Sequence, residues 1–101
     1  MNLDMIKQAR EIQSKIAHAQ KELKKMQVAG EAGKGAVKVV MNGEQRLISI
    51  KIDPTLVDVN NNKQLEGTIF KAIVDCQEKV EKAAAAVMKQ ATGGLKIPGL
   101  F

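Results

Sequence analysis

The chain has 101 residues and a formal net charge of +5, with an isoelectric point near 9.5. It is 45% hydrophobic and 2% aromatic, which excludes a wholly disordered chain and an aromatic-rich ligand pocket. At this length one small domain is expected, with a core that a second subunit often completes.

From Leu3 to Met26 the apolar residues fall at Met5, Ala9, Ile12, Ile16, Ala19, Leu23 and Met26. Their spacing alternates between four and three, the pattern of a coiled-coil seam. Ala, Gln, Lys and Glu fill the remaining positions without Gly or Pro, so the segment predicts a long helix. Residues 1–26 carry six cationic and three acidic side chains, more than half of the net positive charge.

Gly30, Gly33 and Gly35 end the helical propensity. Val28–Ala32 reads as a short strand weakened by glycine, and Ala36–Met41 as a firmer one. Asn42-Gly43 predicts a tight hairpin turn with both residues at positive φ. A further strand follows over Leu47–Ile52, with Ile48, Ile50 and Ile52 on one side and Ser49 and Lys51 on the other. Those three isoleucines are expected to be its buried face. Asp53-Pro54 stops the sheet, with Asp suited to an N-cap and Pro to a first helical position.

Asn60-Asn61-Asn62 predicts a polar connection, and a second long helix is expected from about Lys63 to Ala91. Its apolar stripe is Leu65, Ile69, Ala72, Ile73, Cys76, Val80, Ala83, Val87 and Ala91. Gly93-Gly94 should end it, leaving Leu95–Phe101 as a tail. The fold class is therefore α+β: long helix, small antiparallel sheet of two to three strands, long helix, in a single domain over 1–101. A helix of about 24 residues spans roughly 36 Å, whereas strands of six or seven residues reach only about 20 Å. The sheet cannot cover such helices along their whole length. A homodimer with projecting helical arms is the economical solution.

The three blocks Met5–Met26, Val28–Val39 with its hairpin, and the tail ending Pro98-Gly99-Leu100-Phe101 resemble the YbaB/EbfC family of nucleoid-associated proteins. The most specific part runs through Ile50-Lys51-Ile52-Asp53-Pro54. The resemblance implies a dimer joined through its β layers, with helices projecting like tweezers, that binds DNA and alters its conformation. Relatives often have an acidic run where this chain has Asn60, Asn61 and Asn62.

The residues expected to contact DNA are Lys7, Arg10, Lys21, Lys24, Lys25, Lys79 and Lys89. Lys21, Lys24 and Lys25 cluster at the end of the first helix, where the helix dipole also favours cations, so a solvated face competes with phosphate binding. On the second helix, Lys71 with Asp75 and Glu78 with Lys82 have the spacing of self-compensating pairs, which leaves Lys79 and Lys89 as the stronger candidates there. Ala83–Ala86 provides small side chains for close helix approach or simply high helix propensity.

No catalytic constellation is recognisable. His18 is the single histidine and reads as exposed; Cys76 falls on the apolar stripe and reads as a packed small hydrophobe. No P-loop is present. Missing aromatic platforms weigh against single-strand stacking and base flipping. No enzyme activity, cofactor, metal or small-molecule substrate is expected. The expected partners are double-stranded DNA and a second copy of the chain. With no signal peptide or membrane span visible, a cytoplasmic, nucleoid location is expected. The alternatives are a prefoldin-like holdase chaperone with coiled-coil arms and binding to an anionic membrane surface.

Overall fold

A computed structural model describes residues 2–93. The predicted tail Leu95–Phe101 lies outside them. The element order is α1 (Leu3–Lys25), β1 (Val28–Ala32), β2 (Val37–Met41), β3 (Leu47–Ile52), a short 3₁₀ helix (Pro54–Leu56) and α2 (Asn62–Thr92). The α+β class, the strand order and both long helices agree with the sequence reading. The glycine-bearing segment Val28–Ala32 is a full strand.

Helix α1 begins where Asn2 leaves extended backbone and its side-chain oxygen accepts from the Asp4 N–H at 3.1 Å, satisfying one otherwise unpaired donor. Helix α2 ends at Gly93, whose left-handed backbone (φ 65°) returns its N–H to the Gln90 carbonyl. The three strands form an antiparallel sheet in the order β1-β2-β3. Asp53 closes it as expected, its carboxylate accepting from the Thr55 N–H at 2.9 Å at the start of the 3₁₀ turn. That hydrogen bond holds the Asp53 carboxyl below its ordinary pKa.

The β2–β3 connection differs from the predicted tight turn. It spans Asn42–Arg46, and positive φ falls on Gln45 rather than on Asn42 or Gly43. Buried Asn42 organises this loop: its side-chain oxygen accepts from the N–H groups of Glu44 and Arg46, each at 2.9 Å. Gly43 serves close approach instead of turn geometry. Its N–H donates to the Leu23 carbonyl at 2.7 Å, and a Cβ there would lie 2.8 Å from that oxygen. The loop is thereby fastened to the end of α1.

Among the described residues, two apolar clusters hold the molecule. In the first, Val37, Val39 and Met41 of β2 pack against Ala72, Cys76 and Val80 of α2. Gly30 permits this contact, since a Cβ on it would overlap the backbone of Cys76. In the second, Ala19 and Leu23 of α1 pack against Met88 of α2. The predicted α2 stripe holds through Val80. Beyond it, Met88 and Thr92 become buried, while Ala83, Val87 and Ala91 are only half-buried. The helix exchanges the sheet for α1 as its partner, and its buried face rotates with the exchange.

The isoleucines of β3 are not the buried face expected of them. Ile48 is 48% exposed and Ile50 38%, and only Ile52 is half-buried. Ile50 and Ile52 do stand opposite buried Val39 and Val37, so the expected alternation holds for these two but not for Ile48. A bulge between Val40 and Met41 makes Ile48 the extra residue. A single helix, about 10 Å across, covers roughly two strands spaced about 4.8 Å apart. Helix α2 lies chiefly over β1 and β2, and most of β3 is left at its margin.

Among the described residues, helix α1 is partnered only along its C-terminal half. Ile16, Ala19 and Leu23 meet α2, whereas Leu3, Met5 and Ala9 are exposed. The seam read over Met5–Met26 is thus a contact only in its second half. The molecule measures 69 × 20 × 17 Å, well beyond the roughly 46 Å of a 31-residue helix. The half of α1 that meets no described element supplies the extra length, as an arm.

Candidate nucleic-acid interface

All seven cationic residues singled out from the sequence are exposed, and the fold distributes them over four places. Lys7 and Arg10 stand on the projecting half of α1. Lys21, Lys24 and Lys25 occupy its last turns, at the base of the arm, off the buried Ala19–Leu23 contact. The carbonyl of Lys24 accepts from the Asn42 side chain at 3.4 Å, so the loop that closes the hairpin also anchors this basic turn. Lys89 lies in the last turn of α2, beside Gln90 and Gly93.

Lys79 stands apart, over the sheet rather than along the arm. Its ammonium is 2.9 Å from the Asp75 carboxylate. The helix pairing therefore runs differently from the expected one. Asp75 is held by Lys79 and not by Lys71, and among the described residues Glu78 and Lys82 form no ion pair. The reason is tertiary: Asp75 Oδ2 also accepts the N–H of Glu31, at 2.9 Å, which turns that carboxylate toward the edge of β1 and Lys79. The Glu31 hydrogen bond and then Lys79 hold the Asp75 carboxyl below its ordinary value, and Asp75 in turn holds the Lys79 ammonium above its own.

This contact treats the two sheet edges differently. An exposed edge strand offers unpaired N–H and C=O groups to any other chain. The β1 edge is occupied in part by Asp75, whereas β3 presents Leu47, Ile48 and Ile50 beside an edge that no described strand pairs with.

Three cationic side chains passed over in the sequence line surface hollows. Lys15 borders the groove between the helices, together with His18, Glu22, Val87 and Gln90. Lys38 and Lys51 face one another across β2 and β3 on the sheet surface turned away from α2. The β-pairing register would have revealed the last two, and a sequence does not print register.

The remaining side chains agree with their sequence reading. His18 is exposed, with Nε2 3.4 Å from Glu22. Cys76 is fully buried, its Sγ 3.3 Å from the Val28 carbonyl, and burial pushes its thiol pKa up, away from thiolate chemistry. Among the described residues no group of His, Cys, Asp and Glu could hold a metal ion, and no helix is long and apolar enough to cross a membrane.

Comparison with known proteins places these features in context. A model of the YbaB/EbfC DNA-binding family matches residues 1–95. A nucleoid-associated protein of Thermoanaerobacter pseudethanolicus is 42% identical over 98 residues, covering 97% of this chain and 88% of that one. A nucleoid-associated protein of Rhodospirillum rubrum is 40% identical over 94 residues, covering 93% and 88%. The crystal structure of an uncharacterized protein from Helicobacter pylori has the same fold, with a TM-score of 0.75 at 18% identity, covering 89% of this chain and 96% of that one.

Proposed function

The chain belongs to the YbaB/EbfC DNA-binding family, and on that premise we propose that it works as a homodimer that grips duplex DNA through phosphates and alters its conformation. The family is one of DNA-binding proteins and not of enzymes. The setting of this activity is the bacterial nucleoid, with nucleoid organisation and gene regulation as its consequences.

The observation that carries the reading is the placement of cations on an elongated frame. Lys7, Arg10, Lys21, Lys24, Lys25 and Lys89 are exposed along the two paired helices of a molecule 69 Å long, off the apolar contacts that hold it together. Such side chains neutralise phosphates and release counterions without reading bases. Lys79 adds to this set from the edge of the sheet, where Asp75 orients it.

The dimer rests on β3. Leu47, Ile48 and Ile50 form an exposed apolar strip on a strand whose outer edge is unpaired among the described residues. A second copy offers the same strip and the same edge, which is the self-complementarity that a twofold interface needs. Joined there, two chains bring two basic arms to one duplex.

Fluorescence anisotropy with a labelled duplex tests the reading. Unlabelled duplex of unrelated sequence should compete almost as well as the labelled sequence. Single strands should compete less, because the chain lacks Trp and Tyr on which bases could stack. Stronger competition by single strands would contradict it.

A further inference from the structure

The sheet surface turned away from α2 has no part in either apolar cluster and is not covered by any described element. The alternation of the strands places Glu31 of β1, Lys38 and Val40 of β2, and Ser49 and Lys51 of β3 on it. Lys79 reaches its rim from α2, and together these residues line an open hollow of about 540 Å³. Lys38 and Lys51 are the only charged residues on β2 and β3, and they are direct cross-strand partners. Neither forms an ion pair among the described residues.

Like charges directly opposite across a ladder destabilise a sheet. The two Cβ atoms of such a pair stand about 5 Å apart, so both ammonium groups can reach one anion placed between them. An anion there removes the repulsion and gains two charge-assisted hydrogen bonds, with the Ser49 hydroxyl beside it as a neutral donor. Glu31, opposite Lys38 on β1, and Asp75, paired to Lys79, confine the positive potential to the β2–β3 side of the hollow.

We propose that this open sheet face is a second phosphate-binding surface, in which Lys38 and Lys51 hold the backbone of the duplex while the helical arms hold it elsewhere. The inference rests on the DNA-binding reading above and adds to it a site outside the helices. It gives the repulsive lysine pair a purpose: the sheet gives up some stability when free and recovers it when bound to DNA.

Duplex binding and DNA-free melting, measured on the same variants, test it. In Lys38→Gln/Lys51→Gln the log–log salt slope should fall by about two, at about 0.9 per lost phosphate contact. The affinity advantage of the wild type over this variant should shrink by about tenfold between about 50 and about 200 mM salt. Lys51→Glu should melt at a higher temperature than the wild type without DNA, because it faces Lys38 with an opposite charge, and yet bind duplex more weakly. Lys63→Glu, at the start of α2 on the other side of the sheet, makes the same change of net charge and should weaken binding less. Wild-type binding with an unchanged slope and affinity in the double variant would overturn the second surface and leave the arms standing. Failure of the wild type to bind duplex at all would overturn both readings.

Discussion

Single residues decide how closely the elements of this protein approach one another. Gly30 lets α2 lie against β1 at Cys76, and Gly43 lets the β2–β3 loop hydrogen-bond to the end of α1. Gly30→Ala should therefore destabilise the chain by about 3 kcal/mol through overpacking against backbone that cannot move aside, read as a lowered urea midpoint. A midpoint within error of the wild type would mean that α2 rides higher on the sheet. Asp75 offers a pH-dependent test. Its folded-state carboxyl is held below the ordinary 3.8 by the Glu31 N–H and Lys79. The stabilisation is thus present above that value and is lost as pH falls through the depressed pKa. Asp75→Asn should lower the melting temperature near neutral pH and flatten the acidic limb of the profile; an acidic limb identical to that of the wild type would place its origin in other carboxylates. Neither role was legible in the sequence. Asn42-Gly43 announced a turn, but its actual use depends on where α1 ends, and Lys71 and Lys79 were equally spaced from Asp75 until Glu31 turned the carboxylate.

At the scale of elements, the helices and strands were legible because their apolar periods are long and uninterrupted. What they pack against was less so. Period two along β3 correctly put Ile50 and Ile52 on one side, yet a period reveals a face and not whether anything covers it. Because α2 spans only two strands, Ile50 remains 38% exposed in the single chain. Ile50→Asp should therefore leave the helicity of the chain intact while shifting dimer to monomer at micromolar concentration, observable by sedimentation equilibrium. Loss of folded structure in the monomer would show that Ile50 completes the core of its own chain. On α1, the cations at the base of the arm are separable from the fold. Replacing Lys21, Lys24 and Lys25 together with Ala, the best helix former, should keep the circular dichroism spectrum and reduce the log–log salt slope of duplex binding by about three contacts' worth. An unchanged slope would make this turn a solvated helix end, favoured by the dipole.

For the whole molecule, charge and elongation act together. A net charge of +5 on a chain 69 Å long is spread over distances greater than the roughly 8 Å Debye length of physiological salt. Under the proposed function, clusters of cations such as Lys7 with Arg10 and Lys21 with Lys24 and Lys25 would meet a polyanion as separate local groups, summed along the arm. Composition made the polyanionic partner legible, and the resemblance over nearly the whole chain made DNA the choice among polyanions. Lys38 and Lys51, thirteen positions apart in the chain, needed the β2–β3 register to be seen as a pair. The most direct measurement of phosphate-mediated grip is a duplex titration over a series of salt concentrations, on two duplexes of unrelated sequence. The account predicts parallel log–log lines of steep negative slope, several phosphate contacts' worth on each duplex. A shallow slope, or lines that diverge strongly between the two sequences, would contradict it and point to recognition of base edges.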